Sequence, residues 1–318
     1  MESKHSFFPI KYPQLEKFYQ DFKTGGFWIP QELNSLLLQD REDWEKAPSD
    51  IRELISNILT LFSELDGIVI ENLVERFKKD IGFLKECRLV YSAQEFNEWI
   101  HNETYGLLLN NLINDEKQLT KMRNAVHNFD FVGQIANWCY KFMDKKIPIT
   151  ERIIAFACIE GIIFQSAFAA IYWVKTKNLF PGICKSNEWI ARDEGLHMKF
   201  ACILYLILIT YENFEPVKEV TAQHILKSAI DIADNFIECA IPQGLLGLSQ
   251  ETLKNYVRKI ANVLLISLGF NEIFECPDVP EWMVVVSLPG KSNFFETLVT
   301  EYGRSIDSDI VFSMKTRC

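Results

Sequence analysis

The sequence predicts an all-α protein, a single bundle of long helices with at most a minor strand near its C-terminus. Apolar residues recur at three- and four-residue spacing over most of the chain, the pattern of helices with one buried face. Segment 153–174 is largely apolar and contains a single charged residue, Glu160. Hydrophobic residues make up 48% of the 318 residues, enough for one large core.

The predicted helices follow in order. Residues 13–21 form a first short helix, and residues 51–77 carry a buried stripe of apolar side chains that includes Phe62. Ser92 and Glu95 read as a capping box that opens a helix ending near Ile113.

The second half continues in the same way. Thr150 is expected to cap the helix that runs through Val174, and Ser186 the helix that runs to about Thr210. Further helices are expected over 119–143, 221–240 and 251–268, and only 283–287 resembles a strand. We expect one domain over 1–290 and a flexible tail over 291–318.

Composition narrows the classes of function. The net charge of −10 argues against nucleic acid or an anionic membrane as a partner. The eight cysteines are scattered without a Cys-x-x-Cys pair, and no secretory signal is apparent, so we expect a cytoplasmic protein. Segment 153–174 is long enough to span a membrane, but Glu160 and Gln165 would be costly in lipid, which favours a core helix.

Two Glu-x-x-His pairs predict the chemistry. Glu98 precedes His101 by three residues, and Glu194 precedes His197 by three. Residues three apart share one face of a helix, so each pair can hold a metal ion. Two such pairs with further carboxylates are the ligand set of di-iron or di-manganese helix bundles.

Two residues are candidates for the further carboxylates. Asp66 precedes Glu98 by 32 residues and Glu160 precedes Glu194 by 34, so each half of the chain offers a carboxylate and then a pair. An ionised Glu160 in an apolar helix needs a metal or a partner. A protonated Glu160, or an Asp66 exposed by a kink at Gly67, is the alternative. Four carboxylates and two imidazoles suit iron or manganese better than zinc.

Tyr105 points beyond metal storage. It follows His101 by four residues, so it lies on the same helical stripe and near the metals. A tyrosine of the core is the plain alternative. If Tyr105 is functional, the site could activate dioxygen and oxidise the phenol to a radical.

These residues lie in motifs that resemble a known family, the small, radical-generating subunit of class I ribonucleotide reductase in its eukaryote-like form. The resemblance covers roughly residues 8–303. The matching motifs are FWIPQEL, LDGIVIENLVERF, NEWIHNETYGLLL, FACIEGIIF, SNEWIARDEGLHMKFAC and GKSNFFE.

The resemblance implies a ferritin-like homodimer with two iron ions per chain, with manganese as an alternative. One iron would be held by Asp66, Glu98 and His101. The other would be held by Glu160, Glu194 and His197, with Glu98 and Glu194 bridging the two ions.

The resemblance also implies a radical and its route. Tyr105 would carry the radical in an apolar pocket formed by Phe164, Phe168 and Ile190. Trp28, Asp193 and His101 would form the internal path, with Arg192 in support and Tyr302 in the tail as the handover residue. Proton-coupled electron transfer along this path would serve a separate large subunit, which reduces ribonucleotides to deoxyribonucleotides.

The chain departs from the family pattern in two places. After Phe164 the chain has Gln165, Ser166 and Ala167, where relatives usually have small and hydroxyl residues that include a serine nearer Phe168. The tail ends in a basic segment with Lys315, Arg317 and Cys318. Three alternatives therefore stay open: a non-radical di-metal oxidase or metal store, a divergent paralogue with an altered partner, and a metal-free structural partner.

Overall fold

The computed structural model describes residues 6–25, 27–276, 278–280 and 282–283. Their regular secondary structure is entirely helical, which confirms the predicted all-α bundle. Most of the predicted strand and the whole predicted tail, 291–318, lie outside the described residues. The α-helices are α1 Pro13–Thr24, α2 Asn34–Lys46, α3 Ser49–Asn72, α4 Lys78–Asp80, α5 Lys85–Leu112, α6 Glu116–Met122, α7 Ala125–Asn128, α8 Asp130–Met143, α9 Ile149–Cys158, α10 Phe164–Lys175, α11 Pro181–Tyr211, α12 Glu219–Ala240 and α13 Gln250–Ser267.

Two π-helical turns join consecutive helices without a break. The turn Leu73–Phe77 connects α3 to α4, and the turn Ile159–Ile163 connects α9 to α10. The second turn packs closely on α11, because a Cβ at Gly161 would collide with the side chain of Met198. Such turns often mark functional sites, and this one carries Glu160.

The long helices pack side by side around one apolar core. Helix α5 packs mainly against α3 and α1, and α11 packs mainly against α9, α10 and α2. Helices α12 and α13 pack against each other and against the turn at Glu160. The predicted site residues therefore lie on helices at the centre of the bundle.

The predicted caps of three helices are wrong. Helix α5 begins at Lys85, and Ser92 lies inside it, because the extra turns bury Cys87, Val90 and Tyr91. Helix α9 begins at Ile149 after Pro148, so Thr150 is within the first turn. The third is α11.

Helix α11 begins at Pro181, and Ser186 lies inside the helix. Its first N–H groups are capped from α2: the Asp40 carboxylate accepts from Gly182 at 2.8 Å and from Ile183 at 2.9 Å. Asp43 accepts from the N–H of Phe180 at 2.8 Å. A cap supplied by another helix leaves no signal near the helix start in the sequence.

The middle of the chain also differs from the prediction. The expected helix 119–143 is three helices, α6, α7 and α8. Asp115 caps α6, and the Glu64 carboxylate accepts from the N–H groups of Ala125 and Val126 at the start of α7. Helix α2 was not predicted, because charged residues interrupt its apolar stripe.

Among the described residues, two helical stretches are long and apolar enough to cross a membrane, Ile149–Lys175 and Pro181–Tyr211. The apolar part of the first is completely buried inside the protein. This burial supports the interpretation of segment 153–174 as a core helix.

Candidate metal centre

The six predicted ligands converge from four helical segments. Asp66 lies on α3, the first Glu-x-x-His pair on α5, Glu160 in the π-helical turn before α10, and the second pair on α11. All six residues are at most 1% exposed. Their ligand atoms form two groups, each within 4.8 Å: Asp66, Glu98 and His101, and then Glu98, Glu160, Glu194 and His197.

Both imidazoles turn Nδ1 toward the carboxylates. His101 Nδ1 lies 3.0 Å from Glu194 Oε1 and 3.4 Å from Glu98 Oε2. His197 Nδ1 lies 2.6 Å from Glu194 Oε2 and 3.0 Å from Glu98 Oε1. Glu98 and Glu194 therefore each reach both histidines, which is the placement of carboxylates that bridge two ions.

Many of the ligand atoms are buried and make no hydrogen bond, although His101 Nδ1 and the oxygens of Glu98 and Glu194 lie within the ion-pair distances given above. They are Asp66 Oδ2, both Glu98 oxygens, Glu160 Oε2, Glu194 Oε1 and His101 Nδ1. Buried polar atoms without partners are rare and costly. Metal ions would satisfy them, and a set rich in carboxylate oxygen with two imidazole nitrogens suits iron or manganese. The residues therefore fit a dinuclear metal centre.

The electrostatics of the protein side chains agree with this fit. Burial raises the pKa of Asp66 and of Glu160 well above the ordinary range, and neighbouring carboxylates raise both further. Burial alone would lower the pKa of His197, but Glu194 and Glu98 outweigh it and raise that pKa to about 9. The cluster is thus short of positive charge, which bound cations would supply.

Gln94 is a residue of the site that the sequence reasoning missed. Its Nε2 donates to Glu160 Oε1 at 3.2 Å, and its own Oε1 is buried without a partner. Gln94 precedes Glu98 by four residues on α5, so it shares a face with the ligands. The four-residue spacing from Glu98 is the feature of the sequence from which Gln94 could have been predicted as part of the site.

Tyr105 is 3% exposed, and its hydroxyl group has no hydrogen-bond partner. Burial raises the pKa of its phenol well above the ordinary range, and the charge of Asp66 adds to the shift. Phe62 of α3 stacks on the Tyr105 ring, with centroids 4.8 Å apart and planes 12° apart.

Two of the three predicted pocket residues contact this stack. Phe164 and Phe168 contact the Phe62 ring at centroid distances of 5.5 Å and 5.0 Å. Ile190 is buried on α11. Phe62 was recognised only as part of a core stripe, although it lies one turn before Asp66 on α3.

The predicted internal path is continuous in space. Trp28 Nε1 donates to Asp193 Oδ2 at 3.0 Å, and the same oxygen lies 3.4 Å from His101 Nε2. Arg192 Nε donates to Asp193 Oδ1 at 3.0 Å. Burial would raise the pKa of Asp193, but His101, Arg192 and the Trp28 hydrogen bond together lower it. The Trp28 ring also stacks on His101, with centroids 6.0 Å apart.

Of the two departures from the family pattern, only the one at residues 165–167 lies within the described residues. Gln165 is buried on α10, and the Ser166 hydroxyl donates to the Ile163 carbonyl at 3.2 Å within the helix. Tyr302 and the basic end of the tail, with Lys315, Arg317 and Cys318, lie outside the described residues.

Comparison with known proteins places this chain in a family. The family described as "Ribonucleotide reductase, small chain" matches residues 4–280. The small chain of ribonucleoside-diphosphate reductase from Nicotiana tabacum is 38% identical over 298 residues, which cover 94% of this chain and 88% of that protein. Subunit M2 of the same enzyme from Mesocricetus auratus is 39% identical over 298 residues, which cover 93% and 75%. The solved Rnr4 homodimer of Saccharomyces cerevisiae has the same fold, with a TM-score of 0.74 at 24% identity over 94% of this chain and 89% of that one.

Proposed function

The chain belongs to the ribonucleotide reductase small-chain family, and we propose that it generates a tyrosyl radical at Tyr105 with a pair of iron ions. As a small chain of ribonucleoside-diphosphate reductase it is an oxidoreductase subunit, and it has the ferritin-like helical bundle and a buried cluster of carboxylates and imidazoles. The observation that carries the proposal is the cluster of buried ligand atoms without hydrogen bonds, two of whose residues, Glu98 and His101, share one stripe of α5 with the Tyr105 hydroxyl, which also makes no hydrogen bond.

In this proposal Asp66, Glu98 and His101 hold one ion, and Glu160, Glu194 and His197 hold the other. Glu98 and Glu194 would serve both ions, because each of these carboxylates contacts both histidines. Bound iron would supply the one-electron oxidation of a phenol at the expense of dioxygen. Manganese is the alternative metal.

Tyr105 loses one electron and its phenolic proton when it becomes a neutral radical. Asp66 is the charged neighbour that acts most strongly on the phenol, and its buried Oδ2 has no partner, so it is the candidate proton acceptor. The stacked Phe62 ring and the surrounding apolar side chains keep water and reductants away from the phenol.

The transfer route starts from contacts that this chain already makes. Trp28 donates its indole N–H to Asp193, which contacts His101, so an electron from Trp28 and its proton can move toward the site together. Tyr302 would pass the oxidising equivalent to a separate large subunit, which reduces the nucleotide. We also propose that the chain is a homodimer, as the yeast neighbour is. A cytoplasmic location and the absence of nucleic-acid and membrane partners stay predictions.

The test is the radical itself. After addition of ferrous iron and dioxygen to the metal-free protein, we expect a tyrosyl signal in electron paramagnetic resonance, together with about two iron ions per chain. Tyr105→Phe should bind the same amount of iron and give no signal. Tyr91→Phe is the matched control, because Tyr91 is also buried on α5 but stacks on Phe77. Its signal should equal that of the wild type.

Two outcomes would favour other functions on the same bundle. Stoichiometric iron without a radical in the wild type would indicate a non-radical di-metal oxidase or a metal store. Metal content near zero after loading would indicate a structural partner.

A further inference from the structure

Trp189 of α11 is an aromatic residue that the proposed route does not use. Its ring packs on the ring of Trp28, with centroids 5.0 Å apart and planes 39° apart. Among the described residues, the other aromatic ring that packs on Trp28 is that of His101, at 6.0 Å. Trp28 therefore contacts a proposed metal ligand and a second tryptophan at the same time.

Helical geometry holds Trp189 in this position. Trp189 precedes Asp193 by four residues on α11, so the two side chains share one face of the helix. Asp193 Oδ2 accepts the indole N–H of Trp28 at 3.0 Å, and Trp189 packs on the indole ring itself. The hydrogen bond and the ring contact together fix the orientation of the two tryptophans relative to each other.

The two tryptophans differ in their access to solvent. Trp28 is 5% exposed, whereas Trp189 is only partly buried. Aromatic rings in contact exchange an electron readily, because the rate of electron tunnelling falls steeply with distance. A molecule in solution can therefore exchange an electron with Trp28 through Trp189 without contacting Trp28 itself.

Charged groups make Trp28 the easier of the two rings to oxidise. Asp193 can take the indole proton of Trp28 through the hydrogen bond that joins them. Lys185 Nζ lies 5.2 Å from the centroid of the Trp189 ring, and a cation there opposes removal of an electron from that ring. The adjacent Glu188 carboxylate is paired with Lys185 and with a second lysine. An electron deficit therefore rests on Trp28 and crosses Trp189 only in passing.

We propose that Trp189 is the relay through which single electrons pass between Trp28 and a one-electron reductant or oxidant at the protein surface. The proposal rests on the proposed function, which places Trp28 on the route. Oxidised Trp28 takes one electron from Trp189, and Trp189 regains one electron from a reductant outside the protein. The proton that Trp28 gave to Asp193 returns to the indole nitrogen when Trp28 is reduced. A reductant can thus supply the buried site without entering the apolar pocket.

The first test needs neither bound metal nor a radical at Tyr105. Metal-free protein is treated with photochemically generated tris(bipyridine)ruthenium(III), a bulky oxidant that takes one electron and becomes ruthenium(II). Dioxygen then adds to the neutral indolyl radical, and mass spectrometry measures the oxygenated products. Trp28 and Trp189 lie on separate tryptic peptides, 24–41 and 186–192.

In the wild type, Trp28 should be oxidised about tenfold more than Trp138. Trp138 is the internal reference, because it is equally buried, at 7% exposure, but its ring packs on Phe142, which is not easily oxidised. Equally low oxidation of Trp28 and Trp138 would overturn the proposal, and this comparison needs no substitution.

Two variants of nearly equal shape separate electron transfer from packing. Trp189→Phe keeps a ring against Trp28 but cannot be oxidised by this reagent, so oxidation of Trp28 should fall about tenfold. Trp189→Tyr should keep most of the wild-type oxidation of Trp28, because a phenol can pass an electron. If Trp189→Phe leaves oxidation of Trp28 unchanged, or if both variants abolish it equally, Trp189 is not a relay.

A change at Lys185 should act in the opposite direction. Lys185→Met keeps an aliphatic chain near the Trp189 ring but removes the charge, so oxidation of Trp28 should rise about two- to fivefold. Lys227→Met, at an exposed position on α12, is the control and should leave it unchanged. Both are measured in about 0.5 M salt, which screens repulsion between the cationic oxidant and the surface. A fall in oxidation with Lys185→Met would contradict the proposal.

These outcomes are distinct from failure of the proposed function. Absence of the Tyr105 radical after iron loading would overturn the proposed function but not the electron transfer measured in metal-free protein. A normal Tyr105 radical combined with unchanged oxidation of Trp28 in Trp189→Phe would overturn the relay alone.

Discussion

Phe62 and Gln94 are single residues whose roles depend on what they touch. Phe62 stacks on Tyr105 and is itself contacted by two further phenylalanines, so it forms the floor of the pocket around the phenol. Gln94 holds one oxygen of Glu160 by a hydrogen bond. Phe62 thus contacts the proposed radical residue and Gln94 contacts a proposed metal ligand. Supporting contacts of this kind orient the residues that they touch and limit the access of water to them.

Phe62→Ala should shorten the life of the Tyr105 radical at least tenfold, because the cavity beside the ring would admit water and small reductants. The substitution should also lower the free energy of unfolding by about 3–5 kcal/mol, as is usual for a buried phenylalanine. Decay of the paramagnetic signal and chemical denaturation measure the two effects. Phe156→Ala is the control: it removes an equally buried ring that packs edge to face on Phe77. It should cost similar stability and leave the radical lifetime unchanged.

At the level of elements, α2 supports α11. Asp40 and Asp43 of α2 accept three backbone N–H groups at the start of α11, the helix that carries Asp193, Glu194 and His197. The contact is close, since a Cβ at Gly182 would lie 2.5 Å from Asp40 Oδ2. A short, charged helix thus determines where the longest ligand helix begins.

Asp40 should make stability depend on pH. Burial raises the pKa of Asp40 to about 6, although the two N–H groups act in the opposite direction. Its folded-state pKa is above its unfolded value, so this group's contribution is complete below about pH 4 and is lost as pH rises through about 6. Over that range the loss should be about 2–3 kcal/mol.

Urea unfolding at pH 4, 5, 6 and 7 measures this dependence. Asp40→Asn keeps an acceptor oxygen but cannot ionise, so its pH profile should be flatter than that of the wild type by this amount. Asp130→Asn, at an exposed position in the first turn of α8, should leave the wild-type slope in place. Parallel profiles for Asp40→Asn and the wild type would contradict the assignment.

At the level of the whole molecule, two regions meet at Trp28. Its indole stacks on His101 and donates to Asp193, which connects the metal centre to a segment that also carries the exposed Phe27 and Ile29. In the proposed function, the radical is generated at the metal centre and Tyr105, whereas its delivery depends on Trp28. A change at Trp28 should separate the two.

Trp28→Phe should form the Tyr105 radical to within twofold of the wild type, because no ligand is altered. Reduction of ribonucleoside diphosphates with the large subunit should fall at least 100-fold, because phenylalanine offers neither the N–H for Asp193 nor an easily oxidised ring. Trp138→Phe is the control, because it also removes an indole hydrogen bond, the one that Trp138 donates to Ser228, but alters no residue of the site. This variant should keep full activity. Normal activity of Trp28→Phe would exclude this residue from the route.

Local sequence patterns are sufficient to predict the helical class and the six residues of the ligand cluster. Glu98 with His101, and Glu194 with His197, are recognisable because helical geometry places residues three apart on one face, so the pairing is local. The apolar surroundings of Glu160 were equally local. The motifs also identified the family, which the comparisons bear out.

Features that depend on contacts between distant segments could be seen only in the packed bundle. The start of α11 is set by Asp40 and Asp43, which are more than a hundred residues away in the chain, and local cap signals at Ser186 were therefore misleading. Phe62 meets Tyr105 only because α3 packs against α5.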